Sequence, residues 1–318
     1  MPRAGFASLI GRPNAGKSTL LNRMVGAKVA IVSDKPQTTR NRIVAVKNLP
    51  GGQIVFVDTP GIHRPLHRMN VRMVDAAVDT LREVDVVALI FDASTRPGQG
   101  DEYVSNLLTN IRIPVILVLN KVDLVAKSTL LPLIEKAQKW HDFAAIVPVS
   151  AQTGDGVDRL EQVILEHLAE ADPIYPEEFL TDQAERTLVA EIVREKVLHH
   201  TRNELPFSTA VIVDQFDESE RDPANRPDAG RGSQPGKGLL RLYCTIYVET
   251  ESQKPIIIGR GGSMIKQIGT EARVEMEAFF ETRVYLDLRV KVDPDWRNND
   301  RTLDEIGVPR TARRPRKR

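Results

Sequence analysis

Short apolar runs alternate with stretches of helical periodicity through the first half of the chain. Residues 6–10, 53–57, 84–91, 114–119 and 144–149 are apolar runs of strand length. Between them, residues 17–25, 69–82, 101–111, 130–140 and 156–168 repeat apolar positions at the spacing of one helix face. Strands alternating with helices predict an α/β domain, a mostly parallel sheet with helices on both faces. Ligands of such sheets bind beyond the carboxyl ends of the strands.

The alternation stops at residues 171–176, where Pro173 and Pro176 follow a helical pattern. This predicts a domain at 1–170 and a linker at 171–178. A different order follows: a helix at 180–200, strands at 206–216 and 238–249, helical stretches at 263–268 and 273–281 around a glycine turn, and a strand at 283–292. It predicts an α+β domain over 179–298 and an extension over 299–318. Residues 217–237 are rich in Asp, Arg, Pro, Gly and Ser, which predicts a long, mobile hairpin loop.

Composition agrees with two cores. The chain has 318 residues, 41% hydrophobic and 27% charged. No apolar run reaches the roughly 18 residues of a membrane span, and the chain enters a strand pattern too soon for a secretory signal. A single cysteine, Cys244, excludes an intrachain disulfide and a cysteine zinc cluster, and points to a reducing cytoplasm. It lies in an apolar run and reads as a core thiol. The net charge of +1 rules out a chain-wide basic field. Basic residues gather locally: Lys254, Arg260 and Lys266 occupy the acid-free stretch 252–270, and residues 310–318 hold six Arg or Lys and no acid.

Gly11-Arg12-Pro13-Asn14-Ala15-Gly16-Lys17-Ser18-Thr19 follows one strand and opens one helix. Glycines let backbone wrap a phosphate chain, and free amides at a helix start face its oxygens. Lys17 is placed for the β and γ phosphates, Ser18 for Mg²⁺. Asn120-Lys121-Val122-Asp123 follows a later strand. A carboxylate only accepts hydrogens, and guanine offers N1–H beside an exocyclic amine, so Asp123 selects guanine. Asn120 can brace the phosphate loop, and the Lys121 stem can cover the base. Ser150-Ala151 ends the next strand, where a backbone amide can meet guanine O6. Asp58-Thr59-Pro60-Gly61 places Asp58 for the metal shell and the Gly61 amide for the γ phosphate. In Pro36-Gln37-Thr38-Thr39-Arg40, a threonine can complete the metal shell, Thr39 in preference to Thr38, with loop capping the competing reading.

These motifs resemble the translation-factor-related GTPases over about half the chain. The resemblance implies GTP hydrolysis with Lys17, Thr39 and Gly61 as the catalytic set. The water-orienting glutamine of Ras-like enzymes is replaced by Ile62, which implies low intrinsic turnover. In relatives with this replacement a phosphate-loop asparagine helps bind K⁺. Asn14 matches it, and a structural loop asparagine is the alternative. His63 and His67 lie in the same switch without a spacing that selects a role. His199-His200 read as capping the end of their helix.

In the second half, residues 255–269 read Pro-Ile-Ile-Ile-Gly-Arg-Gly-Gly-Ser-Met-Ile-Lys-Gln-Ile-Gly. Gly259-Arg260-Gly261-Gly262 permits close approach of a sugar–phosphate backbone, and Ile257, Ile258 and Ile265 offer an apolar platform for bases, with Lys254 and Lys266 adding charge. The turn and the element order resemble a type II KH domain. One phosphate loop, Pro-Gln-Thr-Thr-Arg, Asp-Thr-Pro-Gly-Ile-His and this module together resemble the Era family of GTPases over nearly the whole chain, including Asp295-Trp296-Arg297. That resemblance implies Mg²⁺-dependent GTP hydrolysis, binding to the 3′ end of 16S ribosomal RNA, assistance to 30S subunit assembly, a monomer in the cytoplasm, and in some members peripheral contact with the inner membrane surface. The residues themselves leave two classes open: a GTP-gated RNA assembly factor, or a GTPase whose main partner is a membrane or a protein.

Overall fold

A computed structural model describes the chain apart from residues 34, 36–37, 62–67, 97, 110, 202–204, 206–207, 223–237 and 309–318. The chain divides into two compact units, Met1–Gln183 with Val308–Arg318, and Ala184–Gly307.

The first unit is a six-stranded sheet built from β1 (Arg3–Gly11), β2 (Ile43–Leu49), β3 (Gly52–Asp58), β4 (Val86–Asp92), β5 (Val115–Asn120) and β6 (Ala145–Pro148), in the order β2-β3-β1-β4-β5-β6. Only β2 runs antiparallel. The near-continuous apolar runs are strands buried on both faces, as parallel sheets require. The helices are α1 (Lys17–Val25), α2 (Arg68–Thr80), α3 (Gln99–Leu107), α4 (Lys127–Ala137) and α5 (Val157–Glu166). One apolar cluster lies between the sheet and α1 and α5, and another on the opposite face under α2, α3 and α4.

The reading of apolar runs omits β2, although Ile43, Val44, Ala45 and Val46 are all buried. The segment read as a linker is fastened to the outer side of this strand pair. Val46 donates its amide to Leu180 (2.9 Å), Thr181 donates to Val44 (2.7 Å), and Asp182 accepts from the Val44 amide (3.0 Å). Buried Gln53 holds residues 174 and 175 through three further hydrogen bonds and donates a fourth to Asn48 Oδ1. The first unit therefore runs to Gln183 rather than to 170, and α6 (Glu185–His200) starts five residues later than the periodicity predicts.

The second unit contains α6, β7 (Ala210–Glu220), β8 (Leu239–Val248), α7 (Lys254–Ile258), α8 (Ser263–Phe280), β9 (Arg283–Val292) and α9 (Asp300–Glu305). Its sheet has the order β7-β8-β9, with β7 antiparallel and β9 parallel to β8. The predicted glycine turn near Gly269 is absent: α8 is one helix. An interior glycine destabilises a helix by only about 1 kcal/mol relative to alanine. Ile268, Ala272, Met276 and Phe280, buried at i, i+4 spacing, anchor the helix on both sides of it. The helix α9 was not expected from the sequence pattern. Residues 217–220 complete β7, and the rest of the expected loop, from 223 on, lies outside the described residues, as does the basic stretch 310–318. Cys244 is buried in the core of this unit, and burial pushes its thiol up to about 12.

Candidate nucleotide-binding and nucleic-acid-binding sites

The loop between β1 and α1 wraps a cleft of about 360 Å³ lined by Pro13, Asn14, Gly16, Lys17, Ser18 and Thr19, with Thr39, Gly61 and Lys121 closing it. Asn14 has φ 64, a left-handed conformation that asparagine tolerates better than most side chains, so the loop's own shape accounts for its identity. Gly16 has φ 89, and a Cβ there would stand 2.3 Å from Asn120 Nδ2. Glycine at 16 thus serves both the backbone turn and the approach of Asn120. The Arg12 side chain turns away from the cleft to Asp101 (2.9 Å) and Thr95 (2.9 Å) near the start of α3.

Lys17 is buried, and its Nζ donates to the carbonyls of Gly11 (3.1 Å) and Arg12 (2.9 Å). Burial lowers its pKa to about 8, partly opposed by Asp58. Three oxygens meet beside it. Ser18 Oγ and Thr39 Oγ1 are 2.8 Å apart, and each lies 3.4 Å from Asp58 Oδ2. Asp58 is fully buried, and burial raises its pKa to about 6 against the pull of Lys17 and the two hydroxyls. Among the described residues its Oδ1 has no hydrogen-bond partner. Two hydroxyls around a buried, under-satisfied carboxylate form an all-oxygen donor set suited to Mg²⁺. Of the two switch threonines, Thr39 joins this set. Thr38 donates to the Lys35 carbonyl (2.6 Å), the local capping expected of a loop threonine.

The residues read as recognising the base lie at and just beyond the ends of β5 and β6. Asn120 Nδ2 donates to Ala15 O (2.9 Å) and its Oδ1 accepts from the Ala151 amide (3.0 Å), so one side chain ties the phosphate loop to the Ser150-Ala151 turn. A backbone amide of this turn is read as meeting guanine O6; here the Ala151 amide is engaged by Asn120 and the Ser150 amide donates to Asp155 O (2.8 Å). Thr59 and Pro60 are buried, with the Thr59 hydroxyl donating to Leu9 O (3.1 Å), so this pair braces β1 against β3. Asp123 is exposed. Ile62, His63 and His67 lie outside the described residues, as do Pro36 and Gln37.

Sequence reasoning missed Asp92. It ends β4 in register with Asn120 at the end of β5. Its Oδ2 accepts from Lys121 Nζ (2.6 Å), and its Oδ1 accepts from the Ser94 hydroxyl (2.6 Å) and amide (3.0 Å). Burial works against ionisation, but the Lys121 and Ser94 contacts outweigh it and hold the carboxyl below its usual range. An acid closing a seven-residue buried run was the available signal.

In the second unit, Gly259–Gly262 joins α7 to α8. Arg260 and Gly261 are exposed, and Gly261 has φ 58 with open space where a Cβ would stand. Beside the turn, Ile265, Lys266, Gly269, Thr270 and Arg273 of α8 face Val284, Tyr285, Leu286 and Leu288 of β9 across a groove of about 390 Å³. Lys254, Ile258 and Ile265 are partly exposed and Lys266 is exposed. Ile257 does not belong to this surface: α7 turns it wholly into the core. The exposed isoleucine of that helix is Ile256. At the end of α6, His200 Nε2 meets Glu271 (2.7 Å), a side-chain partner rather than a terminal carbonyl.

Residues 6–121 match the family described as 50S ribosome-binding GTPase, and residues 233–297 the KH domain family. The chain is 48% identical to GTPase Era of Geotalea daltonii and 47% identical to GTPase Era of Geobacter metallireducens, in each case over 96% of this chain and 97% of the relative. Among solved structures it is 40% identical to a variant of Aquifex aeolicus Era bound to GDP·AlF4⁻, with a TM-score of 0.87 over 96% of this chain and 99% of that one. It is 40% identical to Era in complex with MgGDPNP and nucleotides 1506–1542 of 16S ribosomal RNA, with a TM-score of 0.89 over 97% and 99%.

Proposed function

The chain belongs to the Era family of GTPases, and from that membership we propose that it is a GTP-hydrolysing factor that binds the 3′ end of 16S ribosomal RNA and assists assembly of the 30S subunit. The observation that carries the RNA half is the exposed Gly259–Gly262 turn opening onto the α8–β9 groove. A phosphate can approach such a turn closely, and unstacked bases can lie against the apolar wall that follows.

In the first unit, Ser18, Thr39 and Asp58 would hold Mg²⁺, which neutralises charge on the β and γ phosphates when bound. Lys17, bonded here to two loop carbonyls, would turn its ammonium to phosphate oxygens. The Gly61 amide would donate to the γ phosphate, and Thr39 would couple its own loop to the metal. Asp123 selects guanine and Lys121, held by Asp92, covers it. A K⁺ ion bound through Asn14 is a further part of this reading. Exchanging K⁺ for Na⁺ should slow hydrolysis, and Asn14→Ala should blunt the difference; equal rates in the two salts would remove K⁺ and leave the GTPase reading intact. No described helix is long and apolar enough to cross a membrane, and the support for peripheral contact is the basic composition of residues 310–318.

The test joins the two sites. Arg260→Asp with Gly261→Asp places two carboxylates where a phosphate backbone would pass. Loss of even one charge-assisted contact removes about 1.5–3 kcal/mol, so affinity for the 3′ tail of small-subunit RNA should fall at least tenfold while GTP affinity holds. Unchanged RNA binding would move the contact to residues 310–318, which truncation after Pro309 would show. If neither change mattered, the RNA reading would fail.

A further inference from the structure

Tyr285 lines the α8–β9 groove, yet it stands on the sheet face opposite the core. Its neighbours in β9, Val284 and Leu286, point the other way, toward the helices. This is possible because β9 is an edge strand, paired only with β8 among the described residues. Tyr285 is 44% exposed. Its ring lies 5.8 Å from that of Tyr243 on β8, tilted by 57°, and the Arg241 guanidinium lies over it at 5.9 Å. Arg241 is its direct cross-strand partner. A wall that begins as the apolar floor of the groove thus turns around the free edge of β9 and continues as two aromatic rings on the far face.

We propose that this Tyr285–Tyr243 shelf is a second base-stacking site, which takes single-stranded RNA bases leaving the groove. The proposal rests on the groove being the RNA site and extends it beyond the roughly four nucleotides that a glycine clamp holds. Continuity with the groove and the π faces of the two rings favour an RNA base as occupant. Charge on the shelf is nearly balanced. Glu220 holds Arg241 (3.1 Å), and Asp287, opposite Tyr243, holds Arg289 (3.2 Å). Phosphate attraction is therefore weak here, and stacking, which every base can supply, carries the contact. The shelf should lengthen the footprint with little sequence preference and little added salt dependence.

The experiment measures binding of the full chain to a tetranucleotide from the 3′ tail of small-subunit RNA and to versions extended by three nucleotides at the 5′ or the 3′ side. One extension should tighten the parent about tenfold, within the range of base–aromatic stacking. Tyr243→Ala, which removes the ring of the shelf that does not line the groove, should abolish that gain and leave tetranucleotide affinity within twofold, while Tyr243→Phe, which keeps the ring, should retain it. A gain of equal size in the alanine variant, or no gain from either extension, would overturn the shelf while leaving the groove in place. Failure of the parent to bind the tetranucleotide at all would overturn the groove, and the shelf with it. Because Tyr243 is partly exposed on the sheet face opposite the core, loss of folding is not expected, and the phenylalanine variant checks it.

Discussion

At the scale of single residues, the nucleotide site is a set of groups held in unfavourable states that a ligand relieves. Asp58 is ionised at neutral pH in a site that pushes its pKa from 3.8 to about 6. The folded chain therefore holds a proton there that the unfolded chain has released between about pH 4 and pH 6. Stability from this group is fully present below pH 4 and is lost as pH rises through 6. Asp58→Asn should consequently stabilise the ligand-free protein at pH 7, by an amount of order 1–3 kcal/mol for a fully buried group. The advantage should shrink on acidification to pH 4. Denaturant unfolding of both proteins at several pH values checks this, and a gap that widens toward low pH would contradict it. Selectivity for guanine through Asp123, as proposed above, is testable at this scale. Asp123→Asn replaces an acceptor pair with one acceptor and one donor, so GTP should bind at least tenfold more weakly. Xanthosine triphosphate, with oxygen at C2, should bind better. Equal GTP affinity in parent and variant would remove Asp123 from base recognition.

At the scale of elements, strand ends decide where the chemistry lies. Asp58, Asp92 and Asn120 are the last residues of β3, β4 and β5, and the parallel register brings them to one edge of the sheet. The antiparallel β2–β3 pair has a different duty, to carry the chain from 174 to 182. Gln53 is the fastening. It gives and takes four hydrogen bonds, two of them from backbone amides of residues 174 and 175. Gln53→Ala would leave those amides unpaired. It should destabilise the first unit by about 2 kcal/mol or more, read as a lower unfolding midpoint with nucleotide affinity retained. A midpoint unchanged within error would mean that the segment is held by its contacts to β2 alone.

At the scale of the whole molecule there are two units, each with its own buried apolar cluster. Ligand linkage should act on them separately. GDP with Mg²⁺ at a hundred times its Kd should stabilise the first unit by about 2.7 kcal/mol and leave the transition of the second in place in a calorimetric scan. A single transition moved as a whole by GDP with Mg²⁺ would contradict separate unfolding. Most of this organisation was legible from the chain. The apolar runs located five of the six strands of the first sheet. The spacing of Gly11, Gly16, Lys17 and Ser18 marked the loop that wraps the cleft between β1 and α1, and residues 259–262 marked the turn between α7 and α8, because backbone conformation and charge at these positions are local requirements written in residue type. Only the tertiary structure decided the rest. Ile257 reads as a surface platform, but the turn of α7 sends it into the core. Asp92 is an ordinary acid in the sequence and becomes the anchor of Lys121 only when β4 pairs with β5. The choice between Thr38 and Thr39 rested on which hydroxyl reaches Asp58, a residue about twenty positions away. Sequence periodicity fixes which face of an element is apolar. Which groups meet across that face depends on strand register and on long-range packing, and these are set by the fold as a whole.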